Sequence, residues 1–136
     1  MAETAYLLDT NILSDLIKRP AGTIAQHIAT VGEDAVCTSI VAACELRYGG
    51  MKRGSPTIPE KIEQLLSVID VLPLEIDVDR EYGRIRSSLE KAGTTIGAND
   101  MLIAAHALSQ NLTLVTGNTS EFSRIDGLKL ENWLKL

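Results

Sequence analysis

Short apolar runs alternate along this chain with longer stretches in which apolar residues return every third or fourth position. Ala5-Tyr6-Leu7-Leu8, Ala35-Val36-Cys37-Thr38, Val71-Leu72-Pro73-Leu74 and Leu112-Thr113-Leu114-Val115 read as buried strands, with Leu128-Lys129-Leu130 a last short one. Between them the spacing predicts helices. The first covers residues 12–17, capped near Thr10 or Asn11 and stopped by Pro20, and a weaker one follows over 22–31. The next is capped by Ser39, carried through Val41, Leu46 and Tyr48, and ended by Gly49-Gly50. Ile62, Leu65, Leu66 and Ile69 mark another, and residues 78–91 another again, closed by Gly93. The last is opened by Ala98 or Asn99 and is apolar nearly all round, so it is buried on most sides. Residues 51–59, with Lys52, Arg53, Gly54, Ser55 and Pro56, read as a mobile basic connection.

Strands alternating with helices predict an α/β fold, a three-layer α/β/α sandwich around a central parallel sheet. No repeat or long linker divides the chain, so a single domain over residues 1–136 is expected. In such folds functional groups collect beyond the carboxyl ends of the strands. That points to Asp9, to Thr38-Ser39, and to residues 116–121.

Composition narrows the function. With 45% hydrophobic and 23% charged residues the chain is globular, and with only 4% aromatics its core is aliphatic. The longest apolar runs, 40–44 and 101–105, are five residues each, far short of the roughly 20 that span a bilayer. The first residues lack a secretory pattern, so the expected address is the cytoplasm. A net charge of −5 argues against coating nucleic acid by bulk charge, but divalent cations at a carboxylate-lined site reverse the local sign. Cys37 and Cys44 lack metal-finger spacing and read as buried small hydrophobes.

Three carboxylates stand among apolar neighbours: Asp9 directly after the first strand, Glu45 within Val41-Ala42-Ala43-Cys44-Glu45-Leu46, and Asp100 at the start of the apolar helix. Each alone has an ordinary reading, as a helix cap, a half-exposed helix residue and a first-turn acid favoured by the helix dipole. No Lys or Arg stands at helical spacing from Glu45 or Asp100. Buried carboxylates need a partner, and three that an α/β sandwich can bring to one rim favour a hard divalent cation such as Mg²⁺.

Taken in order, Leu7-Leu8-Asp9-Thr10-Asn11, Ser39 through Glu45-Leu46, Ile96-Gly97-Ala98-Asn99-Asp100 through Ile103-Ala104-Ala105-His106-Ala107, and Leu114-Val115-Thr116-Gly117-Asn118-Thr119-Ser120-Glu121-Phe122 resemble the successive motifs of PIN-domain ribonucleases. The similarity is greatest to the VapC toxins of bacterial toxin–antitoxin pairs, including the FitB-like branch. It runs over essentially the whole chain, as a single PIN domain, down to Leu130-Glu131-Asn132-Trp133. The resemblance implies an endoribonuclease dependent on Mg²⁺ or Mn²⁺, with Asp9, Glu45 and Asp100 as the acids that hold the metal. It implies 5′-phosphate and 3′-hydroxyl products, a VapB-type antitoxin that inhibits the enzyme, and a homodimer within a larger toxin–antitoxin assembly. The family's fourth acidic position is Asn118 here, which leaves Glu121 to supply charge through water; Thr116 and Asn11 match groups near the metal. The anticodon loop of initiator tRNA is the family's suggestion for a substrate.

RNA needs a cationic approach. Lys18-Arg19, Lys52-Arg53, Arg84, Arg86 and Lys91 are the candidates, with Lys52 and Arg53 foremost because their connection is expected to move. His27 is expected exposed and His106 structural. Rival readings fit less well. A haloacid-dehalogenase-type phosphotransferase needs a second Asp where Asn11 stands, and a receiver domain needs a Lys soon after the last core strand. The remaining alternative is a non-catalytic PIN-fold module that binds RNA or protein.

Overall fold

The computed structural model describes residues 3–134. Five strands, β1 (Tyr6–Leu8), β2 (Val36–Ser39), β3 (Asp70–Leu72), β4 (Thr113–Val115) and β5 (Leu130–Glu131), form one sheet in the order β3-β2-β1-β4-β5, and every pairing is parallel. Successive strand residues face opposite sides, so consecutive buried positions require cover on both faces. Leu7 with Leu8, Cys37 with Thr38, and Leu114 with Val115 are each fully buried. The helices that cover them are α1 (Thr10–Lys18), α2 (Thr23–Val31), α3 (Ile40–Arg53), α4 (Ile58–Val68), α5 (Val78–Ala92), α6 (Ala98–Ser109) and the one-turn α7 (Thr119–Phe122). Here α5 packs on α6, and α3 packs on both α4 and α1. The expected three-layer sandwich is what forms.

The chain builds outward from β1 to β2 and β3, then returns to lay β4 on the other side of β1. That reversal opens a crevice at the carboxyl ends of β1 and β4, where the covering loops part in opposite directions. The core beneath it is aliphatic apart from Phe122 and Trp133. Trp133 is 1% exposed, stands 5.1 Å from the ring of Tyr6 and stacks on His27 at 5.0 Å and 7°, fastening the last strand's exit to α2.

Four expectations are corrected. First, Gly49-Gly50 does not end α3, which continues to Arg53 and stops at Gly54 in the left-handed conformation (φ 71°). Tertiary packing overrides the local cost of glycine in a helix, because a Cβ on Gly50 would stand 2.5 Å from Ile62 Cδ1 of α4. Second, the mobile basic connection shrinks to residues 54–57, since Met51, Lys52 and Arg53 are helical and Pro59 lies in the first turn of α4. Third, Cys37 is buried but Cys44 is exposed, because it faces outward from α3. Fourth, His27 is half-covered by its stack on Trp133. The 3₁₀ turn Glu33–Ala35 and α7 carry too few residues for periodicity to reveal them.

Candidate active site

Asp9 is the residue at which β1 becomes α1. Its backbone N–H donates to the Val115 carbonyl at 2.9 Å, and its side chain caps α1, Oδ1 accepting the Thr10 N–H at 2.8 Å. The reading of Asp9 as a helix cap is therefore correct, with the cap one residue earlier than Thr10. It is not the whole role, because Oδ2 accepts the hydroxyl of Thr116 at 2.8 Å from the end of β4. Thr116 is fully buried, and its Oγ1 also accepts the N–H of Asn118 at 3.0 Å. Asn11 Oδ1 accepts the Gly117 N–H at 3.4 Å. The two sides of the crevice are thus laced together by Asp9, Asn11, Thr116 and Asn118.

Glu45 enters from the second turn of α3. Its Oε1 accepts the Thr10 hydroxyl at 2.7 Å and its Oε2 the Asn99 amide at 3.5 Å. These two contacts tie α1, α3 and the start of α6 together at one rim. Neither Thr10 nor Asn99 is singled out as a site residue by spacing alone; their only signal is adjacency to Asp9 and Asp100. Asp100, half-buried in the first turn of α6, completes the set, and Glu121 of α7 lies within its electrostatic reach.

The charges explain what this arrangement needs. Burial pushes the Asp9 carboxyl above its ordinary range, against the hydrogen bonds from Thr116 and Thr10, and Glu45 pushes the same way. Asp100 is pushed up to about 6, first by burial and then by the negative charges of Asp9, Glu45 and Glu121. Among the described residues, the ion pairs join Arg19 to Asp15, Arg47 to Glu63, Arg84 to Glu81 and Arg86 to Glu90, and none involves the four crevice carboxylates. As the side chains stand, no three Asp, Glu, His or Cys groups among the described residues are close enough to hold one ion jointly. The donor set still suits Mg²⁺, which takes one or two carboxylates directly and keeps several waters.

The other candidates separate cleanly. His106 is fully buried beneath the rim, its Nδ1 2.9 Å from Ser39 Oγ, and burial lowers its pKa against the opposing charge of Glu75, so it is a neutral structural residue. Ser39 caps α3 by accepting the Val41 N–H at 3.1 Å. Arg19, Arg84 and Arg86 are spent in ion pairs, whereas Lys18, Lys52 and Arg53 are exposed and in none among the described residues.

A parallel sheet with unpaired acids at its switch point defines an α/β domain of acidic-site type, and residues 6–128 match the family model described as the PIN domain. The chain belongs to the PIN-domain family and, within it, to the VapC ribonucleases. It is 36% identical over 132 residues to ribonuclease VapC2 of Rickettsia felis, covering 96% of this chain and 98% of that protein. To the tRNA(fMet)-specific endonuclease VapC of Shigella flexneri it is 36% identical, covering 94% and 97%. Among solved structures, that of VapBC2 from Rickettsia felis bound to a DNA fragment from their promoter superposes with a TM-score of 0.87 and 34% identity, covering 96% of this chain and 99% of that one. PIN-domain nucleases are in general dependent on divalent metal. Among the described residues no helix is long and apolar enough to cross a membrane.

Proposed function

We propose that this protein is the toxin of a type II toxin–antitoxin pair, an endoribonuclease that works with Mg²⁺, for which Mn²⁺ can substitute. Asp9, Glu45 and Asp100 would hold the ion, and Glu121 would add charge where the family's fourth acid is replaced by Asn118. The observation that carries this reading is a rim of four carboxylates with no ion-pair partner among the described residues, where burial and the neighbouring negative charges raise the proton affinity of Asp9 and Asp100. A dication from solvent compensates such a group.

When bound, the ion supplies Lewis-acid polarisation of the phosphodiester and an acidified water for in-line attack. The protein's own groups position it. Thr116 and the Thr10 N–H hold both oxygens of Asp9, and the Thr10 hydroxyl orients Glu45. No histidine or serine nucleophile is required, and buried His106 has no part in the chemistry. Lys52 and Arg53 are the candidates for RNA contact. A VapB-type antitoxin is the expected inhibitor, and a homodimer within a toxin–antitoxin assembly the expected state, since the solved relatives include VapBC complexes. The name of the Shigella flexneri relative makes tRNA(fMet) the first substrate to try, with the anticodon loop, the family's suggestion, as the position to map.

The test is incubation of the purified protein with total RNA in Mg²⁺ or EDTA, followed by end mapping. Cleavage in Mg²⁺ alone, leaving 5′-phosphate and 3′-hydroxyl ends, is expected. Asp9→Ala and Asp100→Ala should reduce it to background while the circular dichroism spectrum stays native. Undiminished cleavage by either variant, in preparations free of contaminating nuclease, would remove the site.

A further inference from the structure

One groove of about 230 Å³ leads away from the acidic rim between α1, α3 and α4; Ile17, Leu46, Ile58 and Ile62 give it apolar lining, and its polar lining has a pattern that the proposed chemistry does not use. Both helices start at the carboxyl ends of adjacent parallel strands, so they run in the same direction. They are in register at the rim, where Thr10 donates to Glu45. From that pair each helix presents a residue to the groove four and eight positions on: Thr10, Ser14 and Lys18 on α1, and Glu45, Gly49 and Arg53 on α3. Residues at this spacing share one helical face. The groove is therefore acidic at the rim and narrow-sided in the middle, where a small hydroxyl faces a bare glycine. It ends in two cations, about 12 Å from the rim at 1.5 Å per residue.

Two details separate this from ordinary surface charge. Lys18 and Arg53 are exposed and have no ion-pair or hydrogen-bond partner among the described residues, although four other arginines do. A Cβ on Gly49 would meet nothing within 4 Å, so the middle of the groove is open space. The helix dipole accounts for a cation in each last turn but not for both cations lining one groove.

We propose that this groove is a substrate subsite in which Lys18 and Arg53 together hold a backbone phosphate of the RNA two positions along the strand from the one cleaved, with the intervening nucleotides lying over Ser14 and Gly49. The proposal rests on the reading of the rim as the nuclease centre. A polyanion suits the groove because its cations stand at a fixed distance from carboxylates that act on another phosphate of the same strand. It also sharpens the choice between the neighbouring candidates: Arg53 lines the groove and Lys52 does not.

The experiment measures cleavage kinetics on bulk tRNA with the full chain, and separately the salt dependence of tRNA binding in an Asp100→Asn background that does not cleave. Lys18→Ala combined with Arg53→Ala should raise KM about tenfold near physiological salt and leave kcat within twofold. It should also flatten the slope of log K against log[KCl] by about 0.7, the value for one single-strand phosphate contact. Arg53→Lys should recover much of the loss, Lys129→Ala, at an exposed lysine outside the groove, should change neither readout, and Gly49→Leu, at a position where a Cβ meets nothing within 4 Å, should raise KM. An unchanged slope and KM in the double variant would overturn the proposal while wild-type cleavage still stands. Loss of inhibition by a co-expressed antitoxin with tRNA binding intact would overturn it too, making the groove a peptide channel. A wild type that cleaves no RNA would instead remove the nuclease reading itself.

Discussion

Asp100 carries the clearest signature of the site, since its proton affinity is raised by burial and by three neighbouring negative charges. A carboxyl whose folded pKa of about 6 exceeds its ordinary 3.8 binds more protons in the folded state, so it costs stability above about pH 6 and nothing below about 3.8. Without divalent ion, Asp100→Asn should therefore melt higher than wild type at pH 7, and the gap should close as pH falls from 6 towards 4. A gap that ignores pH would mean that repulsion is not its cause. His106 works in the opposite sense, because a buried neutral imidazole loses stability as pH falls below about 6.5, so the comparison is read as a difference between variants. The cysteines make a second test at this scale. Burial, with Asp70 adding to it, pushes the Cys37 thiol to about 12, whereas Cys44 lies in the open. A thiol reagent should label one cysteine of the native protein, at Cys44, and both after unfolding.

Among the elements, α3 does most to build the site, since it carries Glu45 at its rim end and Arg53 at its far end, with two glycines between. The pair looks like a helix stop in sequence, and each glycine has a different tertiary role. Gly50 is buried where any Cβ would press on Ile62 and Ile58 of α4, while Gly49 faces open space. Gly49→Ala should stabilise the protein by up to about 1 kcal/mol through helix propensity. Gly50→Ala should instead cost about 1–2 kcal/mol, overpacking outweighing the same propensity gain. Chemical denaturation of the two variants decides it, and equal effects would mean that the α3–α4 contact is not tight. The strands were legible to within a residue or two because runs such as Tyr6-Leu7-Leu8 must be buried on both faces. The end of α3 was not, because it is decided by a contact with a helix that comes later in the chain.

For the whole molecule, the crevice joins β1, β4, α3, α6 and α7, segments spread from Asp9 to Glu121, so a bound ion should hold the entire fold. Mg²⁺ at a hundred times its dissociation constant should add about 2.7 kcal/mol to unfolding. The single tryptophan, Trp133, is buried at the opposite end of the chain from β1 yet packs on Tyr6 of β1, so its fluorescence should report the same transition as far-UV dichroism. Asp9→Ala should abolish the Mg²⁺ increment, and an increment that survives would place the ion elsewhere.

The three acids and the α/β class could be read from residue order, because apolar periodicity dictates strands and helices locally and an unpaired carboxylate among apolar neighbours is conspicuous without coordinates. That reading did not reach the hydroxyl of Thr10 on Glu45, the amide of Asn99 beside it, the outward turn of Cys44, or the way Lys18 and Arg53 end one groove. Each of these depends on distances between residues far apart in the chain. Local pattern decides what a segment becomes and which face it buries; which side chains then meet is set by strand order and helix packing, and those are properties of the closed sheet alone.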